Sequence, residues 1–518
     1  GTKGNGYYTS AYSIYNILLI MSSYSMPTAI SRIVSSRLSD RRFEDIRRAL
    51  RVAFLYSTII GALMFGVMFF GAGMIAEFMK KPFVSYALMT LAPTVWIMAY
   101  LGILRGYFQG TGNMIPTAVS QILEQVINAV VSIVMASILF GYGAKANLIY
   151  GGGEYSYAFG AAGGTIGTGA GALVALLFFI LIYCLYGRDI SGGEDERGFR
   201  RSRGVESYGH LTKVLFMTLI PILLSSFVYN LTTVIDDFVF SRLMAFFGLA
   251  ESVVLLWGIY GEYRIVFNIP VAIANSMSSS VIPSLAQAVT KKDRALIAQK
   301  TNLSLRFTIM IAVPACVGIA FLSDPICKFL FPSETTGMLA KVLIIGSPAI
   351  IMGSISTITN GILQGIGKLS IPLTNSVLAQ IIHVVVLVVL MFIKPDIYSV
   401  IISNVVLLFV ICLLNQMAIR KYVRYRTNIL KTYIIPLFAS LIMGIGAFLL
   451  YEAVKRFGPD FLTGSRIGIG ITLCVCIGVA LLVYFTVLFL LRPFTKEELI
   501  EMPLGTRLYR LAHKMHLM

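Results

Sequence analysis

Thirteen long apolar runs divide this 518-residue sequence, and they constrain its fold more than any other feature. An α-helix needs about 20 apolar residues to cross a bilayer core about 30 Å thick. The alternating ten-residue segments typical of membrane β-barrels do not occur in this sequence. We therefore predict an all-α polytopic membrane protein. The predicted spans are 12–36, 52–76, 86–109, 116–140, 161–186, 214–240, 264–288, 303–330, 340–364, 372–393, 397–419, 433–454 and 467–491.

The composition excludes the soluble classes. Apolar residues make up 57% of the chain and charged residues 13%, whereas soluble domains average about 45–50% and about 25%. A disordered chain would need low hydrophobicity. The net charge of +18 could suggest nucleic acid, but the basic residues form short clusters between apolar runs. A nucleic-acid-binding protein would carry them on a polar domain, so we expect no nucleic-acid partner.

The distribution of lysine and arginine predicts the orientation in the membrane. Loops on one side hold 29 of the 42 basic residues, loops on the other side hold 11, and Arg32 and Arg264 lie inside spans. Basic loops stay in the cytoplasm. The C-terminus is therefore predicted to be cytoplasmic, and residue 1 to lie outside.

An internal repeat relates the two halves of the chain. Residues 93–112 and 348–367 align without a gap at an offset of 255, with six identities. Three glycines and one glutamine near the span end are among them. Upstream, Ser25-Met26 matches Ser276-Met277 at an offset of 251. Six spans lie in each period, so the two repeats have the same orientation and form two parallel six-helix bundles.

The repeat also predicts the domain organisation. The counterpart of span 214–240 would lie before residue 1, so we expect thirteen spans of a fourteen-span protein, with the first helix absent from this chain. The alternative is a thirteen-span protein with an external amino end. The predicted parts are an N-lobe at 1–186 with five of six helices, a cytoplasmic linker at 187–213, a C-lobe at 214–419, an extra helix pair at 433–491 and an interfacial cytoplasmic tail at 494–518.

Two stretches carry a resemblance to a known family. They read GYYTSAYSIYNILLIMSSYSMPTAISRIVSSRL at 6–38 and WGIYGEYRIVFNIPVAIANSMSSSVIPSLAQA at 257–288. Together with the C-terminal helix pair, they resemble the multidrug/oligosaccharidyl-lipid/polysaccharide exporter superfamily. Within it the chain is similar to the polysaccharide-transporter branch that includes stage V sporulation protein B and the MurJ-type lipid II flippases.

The resemblance implies alternating access, in which two lobes open a central cavity first to one side and then to the other. It implies a multi-pass protein of the bacterial plasma membrane that moves an undecaprenyl-pyrophosphate-linked sugar from the inner to the outer leaflet. We expect no cofactor, a monomer, and contacts with anionic lipids. A cation-coupled multidrug exporter is the alternative, and a membrane-embedded glycosyltransferase a more remote one. Lipid II and other cell-envelope precursors remain open as cargo.

Arg264 is the first candidate for binding the cargo, because a charged group inside a span is costly and usually functional. The resemblance places this arginine in the pyrophosphate-binding role, and Glu262, two residues before it, is a further substrate-binding candidate. The other reading is an arginine whose head reaches the outer interface. Arg32 and Arg105 are further substrate candidates at cytoplasmic span ends, and lipid headgroups are the competing partner of Arg32.

Acidic and amide residues are the candidates for coupling to an ion. The resemblance implies a sodium site at Asp236 or Asp237 together with Asn375, although hard cations want more oxygen ligands than these. An ion pair with Arg242 is the alternative for the two aspartates. Glu124 would carry a proton as an isolated carboxyl with a raised pKa, or serve as a hydrogen-bonding partner between helices.

Other conspicuous residues have structural explanations. His383, alone in its span, is expected to form an interhelical hydrogen bond, and no second ligand stands at metal spacing. The glycine-rich stretch 160–171 lacks the lysine of a phosphate loop, so it predicts close helix packing through small residues. The six cysteines form no CxxC pair and imply neither a metal nor a disulfide framework.

Overall fold

The apolar runs fold as helices because a bilayer offers no partners for backbone N–H and C=O groups. The computed structural model describes residues 1–190, 205–368, 370–423, 425 and 428–491, and these contain no β-strand. Every predicted span lies within helical segments. The α-helices are α1 Thr2–Leu19, α2 Met26–Ser39, α3 Phe43–Phe70, α4 Ala72–Phe78, α5 Val84–Gly110, α6 Ile115–Tyr150, α7 Glu154–Ile190, α8 Tyr208–Phe246, α9 Val253–Thr290, α10 Arg294–Phe321, α11 Ser323–Leu330, α12 Thr336–Gly346, α13 Pro348–Gly365, α14 Ser370–Ile393, α15 Ile397–Val423, α16 Ile435–Phe457, α17 Phe461–Gly464 and α18 Arg466–Leu490.

Ten described helical spans are long and apolar enough to cross a membrane, and the bent pair α12–α13 would make eleven. The other two predicted runs, 214–240 and 264–288, lie inside α8 and α9. Several runs are interrupted, and span 52–76 breaks at Gly71 between α3 and α4. Span 340–364 bends by 48° where Pro348 starts α13, and span 303–330 breaks at Leu322, since Ser323-Asp-Pro is a sequence that starts a new helix.

The first span contains a π-helical turn at Ile20–Tyr24. The hydroxyl groups of Ser22 and Ser23 donate to the carbonyl of Leu19 at 3.3 and 3.2 Å. Such side-chain bonds compete with the regular ladder, and Pro27 then occupies the first turn of α2. The sequence predicts one uninterrupted helix here, whereas the chain has two helices joined by the π-turn.

Close helix contacts confirm the repeat residue by residue. A Cβ on Gly110 would lie 2.6 Å from Val34 Cβ, and one on Gly365 would lie 2.9 Å from Leu285 Cβ. Val34 and Leu285 are related by the offset of 251, and the glycines by 255. The packing of α5 on α2 and the packing of α13 on α9 therefore use the same glycine position of the repeat.

Chain reversals repeat in the same way. Gly112 and Gly367 end α5 and α13 with φ of +84° and +77°, while Arg41 and Lys292 follow α2 and α9 with φ of +54° and +57°. At each site a backbone N–H one residue later bonds a carbonyl five residues back, which is the Schellman motif. The helix ends are therefore duplicated together with the helices.

The glycine-rich stretch packs α7 closely against α6, as predicted. A Cβ on Gly163 would meet the carbonyl group of Met135, and one on Gly171 would lie 2.5 Å from the carbonyl oxygen of Glu124. Close approach of two helix backbones requires such small residues.

Contacts divide the chain into two units, residues 3–258 with Gly1 and residues 259–518 with Thr2. We call them unit 1 and unit 2. In unit 1, α8 places Leu211, Leu215 and Leu219 in a buried cluster with residues of α2, α3, α5 and α7. The sequence-based lobes, with their boundary at the linker 187–213, rest on the repeat rather than on packing and stay a prediction. Of that linker, residues 191–204 lie outside the described part, as does the tail 494–518.

The C-terminal pair α16 and α18 packs on α10 in unit 2. The hydroxyl of Tyr484 on α18 donates to the carbonyl of Met310 at 2.7 Å. A Cβ on Gly444 of α16 would lie 2.6 Å from a methyl group of Val317. The pair is therefore an integral part of unit 2.

Candidate functional site

Arg105 and Glu124 form an ion pair inside unit 1. Arg105 Nη2 donates to Glu124 Oε2 at 2.6 Å, and the two side chains are only 12% and 15% exposed. Arg105 lies near the end of α5 and Glu124 in the third turn of α6, where Ser120 Oγ lies 3.4 Å from the same Nη2. The sequence named both residues separately, as a substrate contact and as an isolated carboxyl. Glu124 is not isolated, because a guanidinium neutralises it.

Tyrosines of α1 face this ion pair. Tyr8 and Tyr12 stack with ring centroids 5.5 Å apart, and Tyr12 and Tyr15 follow at 5.3 Å. Glu124 lies within electrostatic range of Tyr12 and Tyr15. The sequence analysis missed this stripe, although the spacing of four and three residues is a helical pattern that places the rings on one face. Arginine binds phosphate through a fork of N–H donors, and tyrosine offers an apolar ring with a polar tip.

Arg32 stands apart from these groups. It lies on α2, and its side chain is exposed. An exposed arginine on a span fits contact with headgroups as well as with cargo, so both readings stay open.

Arg264 and Glu262 lie near the start of α9 in unit 2. The guanidinium of Arg264 is half-buried, 6.0 Å from the ring centroid of Tyr260. Glu262 is 5% exposed, and its Oε2 has no hydrogen-bond partner among the described residues. The neighbouring Tyr263 donates its hydroxyl to the carbonyl of Gly346 at 3.2 Å. This bond fixes the rotation of α9 against α12.

Asp237 pairs with a lysine that the sequence analysis counted only as a loop charge. Lys81 Nζ lies 2.5 Å from Asp237 Oδ1, and both side chains are 0% exposed. Asp236 is also completely buried. The guanidinium of Arg242 lies over the ring of Phe78 at 4.8 Å, and its ion pair with one of the two aspartates, the alternative raised from sequence, stays a prediction. No local sequence signal distinguishes Lys81 from Lys80 beside it.

Asn375 belongs to an amide network in unit 2. It donates to Asn415 Oδ1 at 2.9 Å, and Asn415 donates in turn to Asn360 Oδ1 at 2.8 Å and to Thr359 Oγ1 at 3.2 Å. This network joins α13, α14 and α15. Asn375 lies in unit 2 and Asp236 in unit 1, so a sodium site formed by both stays a prediction.

His383 forms the interhelical bond expected of it. Its Nδ1 lies 3.0 Å from the carbonyl oxygen of Ser403 on α15. Because a carbonyl only accepts, Nδ1 carries the proton in this contact. Among the described residues, no group of three or more His, Cys, Asp or Glu is placed to hold a metal ion.

Comparisons with known families and curated proteins cover nearly the whole chain. A family model described as "Polysaccharide biosynthesis protein" matches residues 1–289, and the MatE model matches residues 221–389. The chain is 24% identical to lipid II flippase MurJ of Bacillus subtilis, over 93% of this chain and 89% of that protein. It is 22% identical to stage V sporulation protein B of the same organism, over 98% and 93%.

Solved structures share the fold. Lipid II flippase MurJ in an inward closed conformation aligns with a TM-score of 0.61 at 16% identity, covering 95% of this chain and 93% of that one. A multidrug resistance MATE transporter in an inward-facing conformation aligns with a TM-score of 0.63 at 14% identity, covering 81% and 94%. The predicted architecture of repeated helical bundles is therefore confirmed.

Proposed function

Since this chain belongs to the polysaccharide biosynthesis protein family and is a multi-pass membrane flippase or exporter rather than an enzyme, we propose that its cargo is an undecaprenyl-pyrophosphate-linked sugar. The cargo moves from the inner to the outer leaflet by alternating access. Lipid II is one member of this class, and it is the cargo in the name of one relative.

The buried pair of Arg105 and Glu124 is the observation that carries the proposal. A pyrophosphate inside a membrane needs cationic donors, and arginine can bind two phosphate oxygens at once. In the unloaded protein Glu124 neutralises Arg105 at 2.6 Å. An arriving pyrophosphate competes with this carboxylate for the guanidinium, so binding does not require a bare charge in the empty protein.

The pattern of charges favours this cargo over a cationic drug. An exporter of cations needs an uncompensated acid to attract its cargo, and in unit 1 both Glu124 and Asp237 have a cation beside them. Arg264 adds a half-buried guanidinium in unit 2.

Multidrug export remains the second candidate, because the MatE model matches residues 221–389. It predicts that cells expressing the protein expel cationic dyes such as ethidium. The lipid-flippase proposal predicts no such efflux.

Complementation tests the proposal. The full-length gene is expressed in a bacterium depleted of its own lipid II flippase, and growth is measured. We expect growth with the wild-type chain and with Arg456→Ala, a control that removes an exposed arginine at the end of α16. We expect none with Arg105→Ala, with expression adjusted so that its protein level in the membrane equals that of the wild-type chain.

A reconstituted assay covers cargo other than lipid II. Purified protein is placed in liposomes with a labelled undecaprenyl-pyrophosphate sugar, and a membrane-impermeant enzyme reports which leaflet holds the label. Transfer that depends on Arg105 supports the proposal. Ethidium export without transfer of any such lipid would refute it.

A further inference from the structure

A completely buried ion pair in unit 1 takes no part in the proposed binding of pyrophosphate. Lys81 and Asp237 are both 0% exposed. Burial of two ions is unfavourable unless close partners compensate for the lost water. Burial lowers the pKa of Lys81, and the charge of Asp237 opposes that shift. The groups that contact the Lys81 ammonium and the Asp237 carboxylate therefore define what this site can bind.

The Lys81 ammonium has partners from three helices. Nζ donates to Asp237 Oδ1 on α8 at 2.5 Å and to Ser10 Oγ on α1 at 2.9 Å. It also lies 5.0 Å from the ring centroid of Trp257 near the start of α9. Ser241 Oγ donates to the same carboxylate oxygen at 3.2 Å. A carboxylate, hydroxyl oxygens and an aromatic face are the groups that bind small cations.

A Schellman motif at the end of α4 positions Lys81 next to Asp237. Lys80 has a φ of +57°, the N–H of Lys80 bonds the carbonyl of Glu77, and the N–H of Lys81 bonds the carbonyl of Ala76, both at 2.9 Å. The third residue after α4, Lys81, is thereby folded back toward the helix. Lys80, one position earlier, is exposed. Two adjacent lysines thus have opposite environments.

We propose that Ser10 and Asp237, with Ser241 hydrogen-bonded to the carboxylate, form a monovalent-cation site whose occupant is the side chain of Lys81. A covalently attached ammonium has a high effective concentration at the site, so the chain needs no dissolved cation at this carboxylate. Asp237 Oδ2 is buried without a hydrogen-bond partner among the described residues, and the carboxylate therefore depends on this ammonium for its neutralisation. The occupied site holds α1, α8 and the α4–α5 turn together.

The occupied site has one consequence for the proposed function, namely that transport needs no sodium at Asp237. Only this consequence rests on the proposed function. The site itself is tested without transport. Purified full-length protein is unfolded by heat in sodium chloride and in choline chloride at equal ionic strength. Choline is a cation too large for a site that holds an ammonium group.

The expected results separate the site from a general salt effect. The unfolding midpoint of the wild-type chain and of the control Lys80→Met should be the same in both salts. Lys81→Met should have a lower unfolding midpoint in choline chloride than in sodium chloride. Its midpoint should rise with sodium concentration and then level off, because a bound ion stabilises the folded state by mass action. The double variant Lys81→Met/Asp237→Asn should lose the response to sodium.

Three outcomes would overturn the site. They are equal midpoints of Lys81→Met in both salts, an equal sodium response in the wild-type chain, and a sodium response that survives in the double variant. If Lys81→Met folds in neither salt while the double variant folds, no dissolved cation can replace the ammonium, and the site is refuted as well. Because the readout is unfolding, a wrong cargo leaves all of these results unchanged.

Discussion

The carboxylate of Glu124 on α6 accepts a hydrogen bond of 2.6 Å from the guanidinium of Arg105 on α5. The two residues lie 19 positions apart, and each alone is a charge inside a predicted span. Their pairing explains how both charges are tolerated. It also brings together two residues for which the sequence suggested different roles, substrate binding for Arg105 and proton coupling for Glu124.

We expect Arg105→Ala and Glu124→Ala each to lower the free energy of unfolding by about 3–5 kcal/mol, because each leaves a buried charge unpaired. The double variant should lose less than the sum of the two. Denaturant unfolding in detergent measures the values. The exposed pair of Lys455 and Glu452 serves as the control, and its variants should change stability little. Additive losses at Arg105 and Glu124 would contradict the pairing.

Arg264→Ala should abolish transport of the labelled lipid while the protein level stays the same, because a pyrophosphate needs this fixed, always charged donor. Arg264→Lys should restore transport only in part, since an ammonium cannot fork two phosphate oxygens. The reconstituted assay gives the rates. Equal transport by the lysine variant and by the wild-type chain would instead indicate an arginine that reaches toward headgroups.

The ion pairs of Glu206 with Arg37 and Arg42 predict that the protein loses stability in acid. Burial raises the pKa of Glu206, but the hydrogen bond from Arg37 and the charges of Arg37, Arg42 and His210 outweigh burial and hold the pKa below its ordinary value. Arg37 and Arg42 lie 2.8 Å from its two carboxylate oxygens. A carboxyl with a depressed folded pKa stabilises the protein above its unfolded pKa, and that stability is lost as the pH falls through the folded pKa.

The unfolding midpoint of the wild-type chain should therefore fall as the pH drops below about 4, the ordinary range of a glutamate. Glu206→Gln should have a lower midpoint at pH 7 and a flatter profile in acid. Glu44→Gln, which removes a half-buried carboxylate from the same corner, is the control and should keep the steep profile. A Glu206→Gln profile parallel to that of the wild-type chain would contradict this prediction.

Valine at the duplicated glycines should destabilise both repeats by a similar mechanism. A Cβ on Gly106 would lie 2.7 Å from Ile30 Cβ, and one on Gly361 would collide with Ser278. Overpacking costs about 1–3 kcal/mol. Gly446→Val on α16 is the matched control, because no atom lies within 4 Å of its Cβ position. Thermal unfolding compares the three variants, and a similar loss in all of them would reject close packing as the cause.

Cysteine labelling tests the predicted orientation. Cysteines placed at positions 198 and 426, which lie outside the described residues, should react only from the cytoplasm, and those at 150 and 460 only from outside. The exposed native cysteines Cys184 and Cys474 are first replaced by serine. An impermeant maleimide applied to intact cells and to inverted vesicles gives the readout. The reverse pattern would overturn the orientation inferred from the basic loops.

The sequence by itself determined the spans, the repeat and the local contacts. Apolar length decides which segments can cross a bilayer, and periodic small residues decide where helices approach, as Gly110 and Gly365 do at one repeat position. His383 followed from burial alone, because a histidine in lipid surroundings must find a partner. These features can be predicted from the sequence because they depend on the composition and spacing of residues along each helix.

Only the tertiary structure decided which charges meet. Lys81 and Asp237 are 156 positions apart, and no local pattern distinguishes the buried Lys81 from the exposed Lys80 beside it. The sequence likewise indicated a charge at Arg105 and at Glu124 but no pairing between them. A pair of this kind exists because particular faces of distant helices are packed together, and the Coulomb energy of a charge depends on distance and burial rather than on residue type.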